Sequence, residues 1–184
     1  MTKTVKVNIW DASSVQNAIY ELEKFQHKLE DFPKKLVAIL LDRGVEIANY
    51  QFENAVYAGV NDTMIHTDIS DDGKSARIYA MGQAVLFIEF GTGVFKDSAL
   101  EEVMNIQSGS VMAHGEYGKG KAKNPKGWAY VGNIGKNPPG DTYTSKDGRV
   151  VRTMGNHANS SLWNTRKALQ NILDDAVREA WNDR

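Results

Sequence analysis

The chain has 184 residues, 41% of them hydrophobic, and its 22 Lys and Arg nearly balance 23 Asp and Glu. This is the composition of a one-domain globular protein, and a net charge of -1 argues against a dedicated nucleic-acid binder. The absence of cysteine excludes a disulfide scaffold, a Cys-ligated metal centre and a cysteine nucleophile. No apolar run approaches the roughly 20 residues of a membrane-spanning helix. Residues 1–6 lack the apolar core of a signal peptide, so we expect synthesis in the cytoplasm.

The first third of the chain predicts a short strand followed by helix. Apolar and polar residues alternate over 5–9, which favours a strand with one buried face. Asp11 and the serines after it offer side-chain oxygens that can cap a helix. We expect Pro33 to begin a second helix that ends near Ala55, although one long kinked helix would have nearly the same sequence. The apolar positions follow one helix face: Val15, Ala18, Leu22, Phe25, Leu29, Phe32 and Leu36.

The middle of the chain predicts a three-stranded antiparallel meander. Residues 63–69 and 76–80 alternate with a period of two and are separated by a turn in which Gly73 can adopt a positive φ. Residues 84–90 are apolar on both faces apart from Glu89, which favours a buried third strand. We expect the helices to pack on the apolar face of this meander, formed by Ile65, Ile69, Ile78, Leu86 and Ile88.

Residues 91–155 have a different character, because they hold 12 of the 16 Gly and 3 of the 4 Pro. Such a segment is too long for an ordinary loop. Within 115–152, eight Lys and Arg against three acids give a local charge of +5. Residues 142–152 predict a small hairpin around a turn at Gly148. We expect 109–140 to become ordered only against another subunit, because few large apolar residues offset the entropy of ordering.

The C-terminal end predicts a helix capped by residues 159–161. The expected fold is therefore α+β, an antiparallel β-meander packed against N-terminal helices and a C-terminal helix, with a long Gly-rich insertion. We expect one domain, 1–184, whose core is 5–95 and 155–184 and whose basic Gly-rich arm is 96–154. The apolar face of the last helix contains Leu162, Leu169, Ile172, Leu173, Ala176 and Ala180.

Two patterns that would indicate an enzyme are incomplete. Residues 115–122 have the spacing of a phosphate-binding P-loop, but Ala122 replaces the Ser or Thr that binds Mg²⁺, and Pro125 blocks the helix that should follow. No serine has the strand-to-helix context of a hydrolase nucleophile. We therefore expect no enzymatic activity, no catalytic residue, no cofactor and no bound metal, although a metal site assembled in three dimensions stays open. The histidines lack metal-site spacing: His27, His66, His114 and His157.

Glu89 is the carboxylate that most requires an explanation, since it lies in an otherwise apolar run. A buried carboxylate must be hydrogen-bonded or paired. It can serve as a general base, as an acceptor for backbone N–H groups, or as the partner of a Lys or Arg on a neighbouring subunit. We favour the structural roles.

Residues 80–93, AMGQAVLFIEFGTG, resemble the Glu-Phe-Gly-Thr strand and turn of phage head–tail joining proteins, the neck or tail-completion family of long-tailed bacteriophages and prophages. The chain order is similar as well: a helical first third, a meander that ends in this motif, a variable Gly-rich insertion and a C-terminal helix. Residues 154–159 occupy the lead into the last helix without the family's usual Pro-aromatic signature. A plain β-turn in any antiparallel sheet is the alternative explanation of the motif, which comprises Glu89, Phe90, Gly91, Thr92 and Gly93.

The resemblance implies a non-enzymatic virion protein that joins head to tail or completes the tail as part of a neck ring. It implies as partners further copies of the chain, neighbouring neck and tail proteins and non-specific DNA in the channel, but no membrane. The alternative function is a nucleic-acid-binding protein that uses the arm, where aromatic rings alternate with basic residues. Candidate contacts to a subunit or to DNA are Lys119, Lys121, Lys123, Lys126, Trp128, Lys136, Arg149 and Arg152.

Overall fold

The structure is a computed structural model that describes residues 4–91 and 128–182. Within these ranges the chain forms four helices and five strands, which confirms the predicted α+β class. In chain order the elements are α1 (Ala12–Glu53), β1 (Met64–Ile69), β2 (Ala76–Met81), α2 (Val85–Phe90), β3 (Trp128–Val131), β4 (Tyr143–Thr144), β5 (Val150–Thr153), α3 (Ser161–Asn171) and α4 (Leu173–Asn182).

Helix α1 is one continuous element of 42 residues that passes through Pro33, so the expected second helix beginning at Pro33 is wrong and the alternative of one long helix is correct. Asp11 caps it as predicted, because its carboxylate accepts the N–H of Ser13 at 3.0 Å. Pro33 removes one backbone hydrogen bond from the helix. The adjacent Phe32 ring packs edge-on against Trp181 of α4, with centroids 5.6 Å apart. This tertiary contact favours continuation of the helix.

The prediction of a strand over residues 5–9 is wrong. The N–H of Asn8 donates to Ser14 Oγ at 2.9 Å, and the N–H of Asp11 donates to the Asn8 carbonyl at 3.1 Å. These bonds make the segment a turn that leads into α1. No described strand lies beside it to complete a ladder, and alternation alone does not hold a strand in place.

The prediction of a third meander strand over residues 84–90 is also wrong, because Val85–Phe90 is helix α2. The meander is reduced to the antiparallel hairpin of β1 and β2. The pattern of a short apolar run does not distinguish a buried strand from a buried helical turn. Asp62 favours the helix, since its carboxylate accepts the N–H groups of Gln83 and Ala84 at 2.9 and 2.8 Å.

The main core lies where the end of α1 meets α2 and the β1–β2 hairpin. Phe52 and Ile88 are 2% and 0% exposed, and Val85 packs with them. Helical spacing places Val85 and Ile88 on one side of α2 and turns Leu86 outward, where it is 43% exposed. The predicted inward orientation is therefore wrong for Leu86, and also for Ile69 at the end of β1, which is 53% exposed.

The single C-terminal helix expected from the sequence is divided at Ile172 into α3 and α4, which both pack along α1. Gly44 permits the close approach, because a Cβ at this position would clash with Ile78 of β2 and press on Leu169 of α3. Further along, the Trp181 ring meets Phe25 edge-on at 6.0 Å. An ion pair between Arg43 of α1 and Glu179 of α4 lies between these two contacts.

The hairpin predicted within the Gly-rich arm is confirmed. Strands β4 and β5 pair antiparallel, with Tyr143 opposite Arg152, and the turn closes through the N–H of Gly148 and the Ser145 carbonyl at 2.8 Å. Gly148 has a φ of +71°, as a turn of this kind requires. Strand β3 pairs with the other edge of β5 to complete a three-stranded sheet.

Strand β3 and the part of the arm just after it are bonded to the segment that follows α1 in the same chain. The N–H of Tyr57 donates to the Asn137 carbonyl at 2.9 Å, and the Tyr130 hydroxyl donates to the Ala58 carbonyl at 2.8 Å. Gly135 approaches Gly59 so closely that a Cβ would overlap the Gly59 carbonyl. The expectation that this segment orders only against another subunit is therefore wrong for residues 128–140. The remainder of that prediction, over 109–127, lies outside the described residues.

Candidate functional site

The Glu89 side chain, at the end of α2, caps the first turn of α3. Its Oε2 accepts the N–H of Leu162 at 2.9 Å, and its Oε1 accepts the N–H of Trp163 at 3.3 Å. The first N–H groups of a helix have no partner within the helix, and the helix dipole makes this end favourable for a carboxylate. The hypothesis that Glu89 is a structural acceptor for backbone N–H groups is confirmed.

Neither Ser160, just before α3, nor Ser161, its first residue, caps the helix with its side chain, which corrects the predicted capping by residues 159–161. Ser160 occupies the N-cap position with φ +51° and ψ +42°, and its side chain makes no capping hydrogen bond. The buried Ser161 Oγ has no partner among the described residues. The left-handed conformation of Ser160 is uncommon for a residue with a side chain. The cap is supplied from α2, through Glu89.

The two carboxylates at the ends of α2 have pKa shifts of opposite sign. Burial raises the pKa of Glu89 above its usual range, against the lowering effect of the N–H donors of α3. The N–H groups of Ala84 and Gln83 lower the pKa of the more exposed Asp62. Asp62 thus caps α2, and Glu89 of α2 caps α3. Each of these helices is therefore capped by a side chain from another segment of the chain.

Gly91 ends α2 in a conformation that a residue with a side chain rarely adopts, with φ +67° and ψ 164°. A Cβ at Gly91 would overlap the backbone of His157 and Ala158. Just before it, the carbonyls of Ile88 and Glu89 accept the N–H groups of residues 159 and 160 at 2.9 and 3.1 Å. The segment that ends α2 is therefore fixed against the lead into α3. Over the described residues 89–91 the motif ends a helix and not a strand, so the strand-and-turn context expected from the resemblance is wrong here, and so is a plain β-turn within a sheet.

The side-chain amide of Asn159 links the lead into α3 to Val56, after α1, and to the carbonyl of Ile88 in α2. Its Oδ1 accepts the Val56 N–H at 2.8 Å, and its Nδ2 donates to the Val56 carbonyl at 2.9 Å, in the manner of a ladder pair. The neighbouring Asn156 donates to the Phe87 carbonyl at 3.1 Å. Sequence reasoning read Asn159 only as a helix cap and missed this role. The signal in the sequence is the closely spaced pair of asparagines between a glycine and the last helix.

No family model, curated protein or solved structure matches the chain. The resemblance to head–tail joining proteins accordingly stays a prediction. Its motif is described over Glu89, Phe90 and Gly91, while Thr92 and Gly93 lie outside the described residues.

The candidate contact residues of the basic arm are described only in part. Arg152 of β5 stands opposite Tyr143 of β4, and both are exposed. Arg149 is exposed and its Nε lies 3.8 Å from an Asp147 carboxylate oxygen. Lys136 is exposed beside the segment bonded to α1, and Trp128 begins β3. The remaining four, with the P-loop-like residues 115–122, lie outside the described ranges: Lys119, Lys121, Lys123 and Lys126.

The described histidines have separate surroundings. His66 stacks on Tyr79 with centroids 5.6 Å apart, and His27 lies 3.7 Å from Glu30. Over residues 4–91 and 128–182, no three His, Asp or Glu side chains are grouped as metal ligands would be. In the same ranges, no helix combines the length and apolarity needed to cross a bilayer.

Proposed function

We propose that this protein is a structural component of the neck of a long-tailed phage or phage-like particle, where it joins the head to the tail or completes the tail. The observation that supports the proposal is the arrangement of the motif that carries the resemblance. Glu89 engages the start of α3, and Gly91 admits the backbone of residues 157 and 158. Both contacts fix the position of α2 relative to α3. A fixed arrangement of helices suits a structural protein that must hold neighbouring proteins in place.

The packing of other elements around α1 is consistent with a structural component of the neck. The helix has 42 residues and a length of about 63 Å. The hairpin, α3 and α4 are all in contact with it. Glu89 bonds the start of α3 to α2, and the side-chain amide of Asn159 bonds the lead into α3 to Val56, in the segment that follows α1. The proposal implies location in the virion, synthesis in the bacterial cytoplasm, and contacts with further copies and with other neck and tail proteins.

The proposal is tested in the genome that encodes the chain. We expect portal, capsid and tail genes beside it, and a stop codon early in the gene should yield DNA-filled heads separate from tails by electron microscopy. A plasmid copy should restore joined, infectious particles. A neighbourhood without these genes, or infectious particles from the stop-codon mutant, would reject the proposal.

Complementation with variants tests the role of the motif in that function. Glu89→Ala should fail to restore joining at elevated temperature, since it removes the cap of α3. Glu46→Ala, which removes an exposed carboxylate from α1, is the matched control for a structural effect and should restore it.

One observation favours the alternative of nucleic-acid binding. Tyr143 and Arg152 lie side by side on an exposed sheet face, with Lys146 in the adjoining turn, and rings beside cations suit single-stranded nucleic acid. Fluorescence anisotropy with a labelled single-stranded oligonucleotide tests it. If the alternative holds, Tyr143→Ala with Arg152→Glu should abolish a salt-dependent binding that the parent protein has. Absence of binding by the parent protein would remove this alternative.

A further inference from the structure

The start of α3 has two features that cost free energy. Ser160 has φ +51° and ψ +42°, and among the described residues it alone combines a side chain with a positive φ. A residue with a side chain is strained in this region. The next hydroxyl, Ser161 Oγ, is buried and has no partner among the described residues, which adds the cost of an unmade hydrogen bond. The contacts around Ser160 must therefore hold its backbone in this conformation.

Glu89 occupies the N–H groups that Ser160 itself would cap. A serine at the N-cap position with an extended backbone accepts, through its hydroxyl, the N–H of the second or third helical residue. Ser160 is at that position, and these two residues are Leu162 and Trp163. Glu89 accepts both of their N–H groups, at 2.9 and 3.3 Å. The two side chains therefore compete for the same donors.

Glu89 is the cap in the structure because a carboxylate is the better acceptor. It has two oxygens, so it bonds both N–H groups at once, and its negative charge is favoured by the helix dipole. In the left-handed conformation the Ser160 hydroxyl makes no capping hydrogen bond. A change of Ser160 to the extended region would relieve the strain and place its hydroxyl at the first N–H groups of the helix.

Contacts on both sides of Ser160 determine which segment moves in such a change. The N–H groups of Asn159 and Ser160 donate to the carbonyls of Ile88 and Glu89 at 2.9 and 3.1 Å. On the other side, α3 packs along α1. Rotation of the Ser160 backbone changes the angle between the two segments, so it must break the bonds to α2 or separate α3 from α1. The two hydrogen bonds are the smaller loss, because the packing on α1 buries apolar side chains.

We propose that Ser160 is a second cap of α3, which takes over the first N–H groups of the helix when Glu89 is withdrawn. The exchange of caps is a conformational switch. With Glu89 as the cap, the end of α2 at Gly91 is fixed against residues 157 and 158, and with Ser160 as the cap it is released. Helix α3 is capped in both states, so α2 can move while α3 stays folded. The inference goes beyond the proposed function and does not depend on it.

Amide hydrogen exchange in single and double variants tests the second cap. In the parent protein, Ser160→Ala should change the exchange of Leu162 and Trp163 by less than about twofold, because the hydroxyl caps nothing there. In Glu89→Ala the same substitution should accelerate both amides by about a further fivefold, which corresponds to the loss of a serine cap. Equal effects of Ser160→Ala in the two backgrounds would overturn the proposal.

Ser161→Ala is the matched control, because it removes the adjacent hydroxyl from a position inside the helix that does not serve as an N-cap. It should change the exchange of Leu162 and Trp163 by less than about twofold in either background. An acceleration in Glu89→Ala as large as that from Ser160→Ala would show a general weakening of the helix start, and would overturn the proposal.

NMR chemical shifts of Ser160 report the backbone conformation independently. They should indicate the left-handed region in the parent protein and the extended region in Glu89→Ala, where the amides of Asn159 and Ser160 should also exchange faster. If Glu89→Ala does not fold, Glu89→Met takes its place with the same expectations, since it fills the same space without an oxygen acceptor. A left-handed Ser160 in the variant that folds would overturn the proposal. Failure of both variants to fold would do so as well, because a second cap should support α3.

Discussion

The Glu89 carboxylate accepts the N–H of Leu162 at 2.9 Å across 73 positions of sequence. A residue of one helix thereby supplies the cap of another, in place of Ser160, which occupies the N-cap position of that helix. The first prediction concerns its removal. Glu89→Ala should lower the free energy of unfolding by about 2–4 kcal/mol, because it leaves N–H groups of α3 without an acceptor. Chemical denaturation measures this, with Glu46→Ala on the exposed face of α1 as a control that should change stability by less than about 0.5 kcal/mol.

The second prediction concerns pH at Glu89. Its pKa is raised in the folded state by burial, so its contribution to stability is complete below the unfolded pKa and declines as the pH rises through the folded pKa. Glu89→Gln should therefore gain stability relative to the parent as the pH rises above the ordinary glutamate value. Denaturation curves over a pH series measure the difference. A difference that shrinks as the pH rises would contradict the assigned direction.

Asp62 should behave in the opposite sense, which is the third prediction. Its pKa is lowered by the N–H groups of Ala84 and Gln83, so its contribution is present above the unfolded pKa and is lost as the pH falls through the folded pKa. Asp62→Asn should cost stability at neutral pH, and this cost should disappear in acid. A cost that is the same at both pH values would mean that the cap does not depend on the charge.

The fourth prediction separates two effects at Gly91. Gly91→Ala forces a side chain into both a positive φ and the backbone of Ala158. Gly148→Ala also places a side chain at a positive φ, +71°, but it has open space around it. Gly148→Ala should cost about 1 kcal/mol and Gly91→Ala at least about 2 kcal/mol more. Equal costs would mean that the close approach to residues 157 and 158 is absent.

The fifth prediction distinguishes helix from strand over residues 85–90. Ile88→Ala should cost about 2–5 kcal/mol because Ile88 is fully buried, whereas Leu86→Ala should cost less than about 1 kcal/mol. In a strand, residues 86 and 88 would face the same side, and both substitutions would be costly. Thermal or chemical unfolding of the two variants decides between these arrangements.

The elements that sequence predicts well are those with long or repeated local signals. Helix α1 has a periodic apolar face over many turns, and the β4–β5 hairpin has Gly148 in its turn. Helix α2 has only six residues, and its cap, Asp62, lies 22 positions from the N–H of Ala84. The need of Glu89 for a partner follows from its apolar neighbours. The identity of that partner depends on tertiary packing, which no local pattern contains.

Hydrogen exchange at the start of α3 tests most directly the claim that α2 carries the cap of that helix. In the parent protein the amides of Leu162 and Trp163 should be protected, because Glu89 accepts both. In Glu89→Ala their exchange should accelerate by at least about tenfold, while the amide of Val151 in the distant sheet stays unchanged. Unchanged protection of Leu162 and Trp163 in Glu89→Ala would contradict the account.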